Sequence, residues 1–133
     1  GLIILTNDGE LTLRMTHPRW EHPKTYQVLV RGKVNQRKIE IMTRGMVLRE
    51  GEKLTPVKVK TIWQKPGLTF LQMTLIQGVN RQIRRMCRDL KLTVLKLERT
   101  AQGPVSLGTL KPGQWRYLHP EEIRALRHSV GLG

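Results

Sequence analysis

Apolar and polar positions change period several times along the chain, and each change marks an element. Gly1 to Thr6 contains the apolar run Leu2-Ile3-Ile4-Leu5, which reads as a strand. Asn7-Asp8-Gly9 is a turn, and Asn7 with Glu10 has the spacing of a capping box. A short helix carrying Leu11, Arg14 and Met15 follows and closes at His17-Pro18. From Lys24 to Arg31 the pattern alternates: Tyr26, Val28 and Val30 point one way, Thr25, Gln27 and Leu29 the other. Gly32 ends that strand. Residues 35–44 return to helical spacing, with Ile39 and Met42 as apolar anchors. Val57, Val59 and Trp63 alternate with Lys58, Lys60 and Ile62, predicting another strand. Thr69 to Gln77 and Leu92 to Thr100 predict two more, and Gly103-Pro104 breaks the second. Gly113 to Leu118 reads as a last strand. The closing helix has Pro120 near its first position, Glu121 and Glu122 in its first turn, Arg127 and His128 late, and Gly131 beyond its end. Strands outnumber helices and do not strictly alternate with them. The fold class expected is α+β, a mixed, largely antiparallel sheet with helices packed mainly on one face. With no repeat, low-complexity tract or long linker, residues 1–133 read as a single domain.

One predicted helix, Gly78 to Leu90, carries more information than the rest. Arg81, Arg84, Arg85 and Arg88 follow i, i+3, i+4, i+7 spacing and share a face. Ile83, Met86, Cys87 and Leu90 repeat that spacing two residues on and share the opposite face. One face docks on a core while the other presents four guanidinium groups, whose planar forks suit phosphate and carboxylate. A solvated basic helix is the ordinary fate of such a cluster. No acid lies four residues away on that face to neutralise it, which favours a polyanionic partner.

Charge changes the picture in the same direction. Lys and Arg number 24 against 10 Asp and Glu, a net charge of +14, and such a surplus costs self-repulsion until a counter-charge arrives. Nucleic acid is the expected partner. A membrane surface is the weaker alternative, because no segment is apolar enough to span and no long amphipathic helix occurs. Cys87, the single cysteine, sits on the apolar face of the basic helix and reads as a core residue in a reducing compartment. Four scattered histidines lack metal-ligand spacing, and no signal peptide is evident, so no metal and a cytoplasmic location are expected. No G-x-S-x-G, phosphate-binding Walker loop, H-E-x-x-H or C-x-x-C pattern is present, and the only aspartates are Asp8 and Asp89. Composition and pattern alone stop at a basic α+β nucleic-acid-binding domain.

A resemblance extends this reading. In order come Gly1-Leu2-Ile3-Ile4-Leu5-Thr6-Asn7-Asp8-Gly9-Glu10-Leu11, His17-Pro18, Lys24-Thr25-Tyr26-Gln27-Val28, Gly45-Met46-Val47-Leu48 and Gly78-Val79-Asn80-Arg81-Gln82-Ile83-Arg84-Arg85-Met86. Up to about residue 118 the chain resembles the catalytic domain of the bacterial ribosomal-RNA pseudouridine synthases of the small-subunit type, the RsuA/RluB/RluE/RluF group. That resemblance implies isomerisation of a uridine in RNA without cofactor or metal, on an α+β fold with a mixed sheet. It implies that Tyr26 is the active-site tyrosine, stacking on a flipped base and helping to take the proton from carbon 5. A cross-strand aromatic packed beside Val28 is the plainer reading of the same residue. It implies that Arg84 pairs with the catalytic aspartate and holds it ionised and aimed. Arg81, Arg85, Arg88 and Lys24 are the implied RNA phosphate contacts, and the strand after Leu2 would support the catalytic loop from below.

The departures matter as much. The family's nucleophile is the aspartate of Gly-Arg-Leu-Asp-x-x-Thr/Ser-x-Gly-Leu, and this chain begins at the Gly-Leu that ends it. Neither Asp8 nor Asp89 takes that place, and Val79 stands where many members carry a basic residue. The chain is therefore expected to be the C-terminal part of a synthase catalytic domain. The nucleophile motif and the small N-terminal RNA-binding domain would be absent, and the chain alone inactive. The expected partner is ribosomal RNA, with transfer RNA as a further substrate class, and the expected state is a monomer. Two other classes compete. A non-catalytic RNA-binding or ribosome-associated domain accounts for the charge but not for the ordered motifs. A DNA-binding regulator would insert the arginine helix into a major groove, but a strand, not a helix-turn-helix partner, precedes that helix.

Overall fold

The computed structural model describes residues 1–20 and 22–133. In chain order the elements are α1 (Gly9–Thr16), a 3-10 turn (Pro18–Trp20), β1 (Lys24–Arg31), α2 (Gln36–Arg44), β2 (Lys58–Lys65), β3 (Leu68–Leu75), α3 (Gln82–Asp89), β4 (Thr93–Gln102), β5 (Val105–Ser106) and α4 (Pro120–Ser129). The strands form one sheet in the order β2-β3-β1-β4-β5. Among the described residues every pairing is antiparallel, so the sheet is not mixed. Two of the pairings are hairpins, which can only be antiparallel. The β2–β3 turn is Pro66-Gly67, where φ of +72° at the second position requires glycine.

The alternation in β1 explains its central place. Val28 and Val30 are fully buried, and the register aligns them with Leu71 and Thr69 of β3 and with Leu97 and Val94 of β4. Val28, Val30, Leu71 and Met73 form a core with Met42 of α2 and Ile83, Met86 and Cys87 of α3. A second core joins Leu11 and Met15 of α1, Leu126 and Val130 of α4, Leu2 and Val105. Val105 pairs with Gln102, which pairs with Lys24, so it lies on the same sheet face as Val28. The helices therefore cover one face, as the sequence predicts. The opposite face carries Thr25, Gln27, Thr74, Gln72 and Lys96.

The β1–β4 ladder is irregular where it matters most. Thr25 pairs with Ala101, but Tyr26 pairs with Arg99, so Thr100 is an extra residue in a β-bulge. A regular ladder would set Tyr26 opposite Thr100. The bulge instead turns an arginine to the tyrosine's side of the sheet.

Other expectations are corrected. Gly1–Thr6 forms no strand; its tie to the sheet is the Leu2 N–H, which donates to the Arg99 carbonyl at 2.7 Å. Apolar content alone did not supply a paired neighbour along its length. Asp8, not Asn7, caps α1, its carboxylate accepting from the Leu11 N–H at 3.1 Å. The basic helix starts at Gln82, four residues later than the pattern suggests, because the chain first turns at Asn80 and Arg81, with the Gln82 N–H donating to the Val79 carbonyl at 3.2 Å. Gly113–Leu118 is not a strand either, and Trp115 and Tyr117 stand exposed there, edge to face at 5.3 Å.

Met86 is fully buried between α3 and the sheet. Met86→Ala should lower the unfolding free energy by about 2–5 kcal/mol in denaturant titrations, the usual cost of such a cavity. A loss under about 1 kcal/mol would mean that α3 is not seated on this core.

Candidate functional site

Tyr26 lies on the inward face of β1, partly buried against the larger core. Its cross-strand neighbours are Met73 on β3 and Arg99 on β4. Lys24 precedes it on the same face, and its Nζ lies 4.0 Å from where a side chain at Gly78 would begin. Strand β1 thus delivers Lys24 and Tyr26 beside the turn that opens α3. Partial burial and the nearby positive charge of Arg99 both lower the Lys24 pKa. Arg99 donates from Nε and Nη2 to the Leu2 carbonyl at 3.0 and 2.7 Å. Two cations therefore flank the tyrosine, and among the described residues neither has an acidic partner.

The four arginines of the basic helix divide into two pairs. Arg81 and Arg84 are exposed and make no side-chain hydrogen bond or ion pair among the described residues. Arg81 also adopts a left-handed conformation, φ 52° and ψ 35°, as the residue that caps α3. Such a conformation costs an ordinary residue of order 1–3 kcal/mol and is found disproportionately at functional sites. Arg84 makes no bond to Tyr26, Lys24 or Arg99. Arg85 and Arg88 differ. The 46–54 loop folds back on itself, with Leu48 N–H donating to the Glu52 carbonyl at 2.9 Å and Leu54 N–H to the Met46 carbonyl at 2.9 Å. Its tip presents Glu50 and Glu52 to α3. Arg88 grips Glu50 through both terminal nitrogens at 2.9 and 2.8 Å and reaches Asp89 from Nε at 2.8 Å. Arg85 pairs with Glu50 at 3.2 Å and with Glu52. The expectation that no acid neutralises this face is corrected: Glu50 and Glu52 come from a distant loop, which helix spacing cannot reveal, and Asp89 ends the helix itself, four residues after Arg85. Hydrogen bonding from Arg88, foremost, holds Glu50 down at about 2 from an ordinary 4.5.

The remaining candidates are quieter. Cys87 is buried in the core, and burial pushes its thiol up to about 11, the opposite of an activated nucleophile. A cavity of about 660 Å³ lies at the Arg31–Val34 and Gln64–Gly67 turns, at the far end of β1 from Lys24. No set of three or more His, Cys, Asp or Glu side chains able to hold a metal occurs among the described residues. Sequence reasoning missed Arg99. No residue pattern pointed to it, because the β-bulge at Thr100 shifts the parity of β4.

The tyrosine that the sequence resemblance singled out is a sheet-borne phenol flanked by two cations without acidic partners, on the same core as the basic helix. The comparisons give the chain a family. Residues 1–89 match the RNA pseudouridylate synthase family, and the chain belongs to it. It is 39% identical over 132 residues, 99% of its length and 53% of the relative's, to an uncharacterized RNA pseudouridine synthase of Aquifex aeolicus. It is 39% identical to the ribosomal large subunit pseudouridine synthase E of Vibrio parahaemolyticus, over 87% of this chain and 54% of that protein. With the ribosomal large subunit pseudouridine synthase B of Bacillus subtilis the identity is 37%, over 96% and 52%. A solved pseudouridylate synthase structure superposes with a TM-score of 0.83 at 29% identity, covering 91% of this chain and 52% of that one. The chain spans about half the length of each of these relatives.

The Glu50–Arg88 pair has a pH signature. A carboxylate depressed in the folded state adds stability above its unfolded pKa, and that stability disappears as pH falls through the folded value. Thermal melts between pH 4.5 and about 2 should therefore show a loss that Glu50→Gln reduces, the remainder coming from Glu122, Glu52 and Asp89, which are also lowered. Identical pH profiles for the two proteins would deny the pair any part in folding.

Proposed function

We propose that the full protein isomerises a uridine of large-subunit ribosomal RNA to pseudouridine during ribosome biogenesis. The observation that carries this reading is the family match over residues 1–89, which spans Lys24, Tyr26 and Arg84 together. The names of the Vibrio and Bacillus relatives support the large-subunit RNA as substrate over transfer RNA. The protein works in the cytoplasm, as a monomer, without cofactor or metal.

The reaction breaks the bond between N1 of uracil and C1′ of ribose, turns the base, and joins C5 to C1′. C5 loses a proton and N1 gains one, so no atom is added or lost. The base must first leave its stack, at a cost on the order of a few kcal/mol. Lys24 and Arg81 are suited to offset that cost by holding phosphates, because no acid of the chain competes for them among the described residues. Arg85 and Arg88 chiefly hold the 46–54 loop to α3 and are weaker phosphate candidates. Tyr26 stacks on the flipped base and takes part in proton removal from C5. The isomerisation needs a nucleophilic carboxylate, and the family resemblance makes Arg84 its ionic partner. A non-catalytic RNA-binding domain would need the arginines but not a tyrosine hydroxyl, so that group separates the two readings.

In the full-length protein, Tyr26→Phe keeps the ring and removes the hydroxyl. RNA affinity and thermal stability should be near wild type, while tritium release from carbon-5-labelled uridine should slow by roughly 10²–10⁴-fold, the usual share of general acid–base help. Arg84→Ala should also impair turnover, by leaving the carboxylate without its counter-charge. Wild-type turnover by Tyr26→Phe would make the tyrosine a packing residue.

A further inference from the structure

Gly1, Leu2 and Arg99 are joined more tightly than any secondary-structure element requires. Leu2 N–H donates to the Arg99 carbonyl at 2.7 Å, and the Leu2 carbonyl accepts from Nε and Nη2 of the same residue at 3.0 and 2.7 Å. A side chain at position 1 would begin 2.6 Å from the Arg99 backbone nitrogen and 3.0 Å from its carbonyl oxygen, so glycine is required for this approach. The residues are 97 positions apart in sequence. The clamp also sits directly across the ladder from Tyr26, because the β-bulge at Thr100 brings Arg99 into register there.

The chemistry of the clamp is unusual. A partly buried guanidinium commonly faces a carboxylate, whose charge compensates its lost hydration. Here the fork closes on a neutral carbonyl, and Lys24, also cationic, stands beside it. Maintaining that charge contributes something a neutral donor could not: an electropositive anchor that fixes the chain at residue 2 and favours an anion close to Tyr26.

We propose that Arg99 is a positioning residue of the isomerisation. It would hold the Gly1–Leu2 backbone in place across the ladder from Tyr26, and its positive charge would favour an anion there. This inference rests on the reading above, in which Tyr26 takes part in the isomerisation. Arg99 acts through Leu2 and touches no reacting atom.

Three proteins of full length test it: wild type, Arg99→Ala and Arg99→Lys, assayed below their melting transitions on uridine-containing ribosomal RNA. Displacing a reacting group by about 1 Å can cost 10²-fold in rate. Arg99→Ala should therefore lose about 10²-fold in kcat with KM for RNA changed less than twofold. Arg99→Lys should recover part of the loss, and added guanidinium ion should partly rescue the alanine variant. In the 133-residue chain, Arg99→Ala should also raise the Leu2 amide exchange rate at least tenfold, although the backbone acceptor remains. A raised KM with unchanged kcat would make Arg99 an RNA contact and overturn the proposal. So would an active wild type with an unaffected alanine variant, or Leu2 exchange that does not respond. A folded wild type without turnover would overturn the enzymatic reading itself, and the positioning role with it.

Discussion

The register of β1 between β3 and β4 is the constraint on which the rest depends. Burial of Val28 and Val30 fixes which face of β1 turns inward, because a one-residue slip would send both to solvent. Once that face is fixed, Lys24 and Tyr26 must share it. The β-bulge at Thr100 then decides which residue of β4 meets the tyrosine. Packing energy that belongs to the core thereby positions polar groups at its margin, where Leu2 and the turn at Gly78 converge on them.

Charge is distributed with the same economy. Asp8, Glu10, Glu50, Glu52, Asp89 and Glu122 each pair with an arginine. None of those pairs involves Lys24, Arg81, Arg84 or Arg99. Most of the other basic residues have no such partner among the described residues, and those beside Tyr26 are among them.

Much of the fold was legible because its signals are local. The alternation of β1, the helical spacing of residues 35–44 and the proline and glutamates opening α4 each report nearby structure, and each element occurs close to where the pattern puts it. What was not legible is long-range. Gly1–Thr6 is as apolar as a strand, yet only Leu2 finds a backbone partner in β4. Glu50 lies 38 residues from Arg88, so no helix-face argument could pair them. Arg99 reached Tyr26 only through a bulge, and bulges have no signature in residue types of this kind. Tyr26 and Arg84 entered through resemblance to a family. Their geometry gives Tyr26 an inward, cation-flanked place and leaves Arg84 exposed without a partner among the described residues.

The central claim is that this family member acts on ribosomal RNA. The most direct measurement maps pseudouridines in large-subunit ribosomal RNA from cells lacking the gene, from wild-type cells, and from cells in which the gene is restored. The account predicts that one or a few uridines stay unmodified in the deletion and are modified again on restoration. A large-subunit map identical in all three strains, in cells where no second synthase covers the same sites, would contradict it.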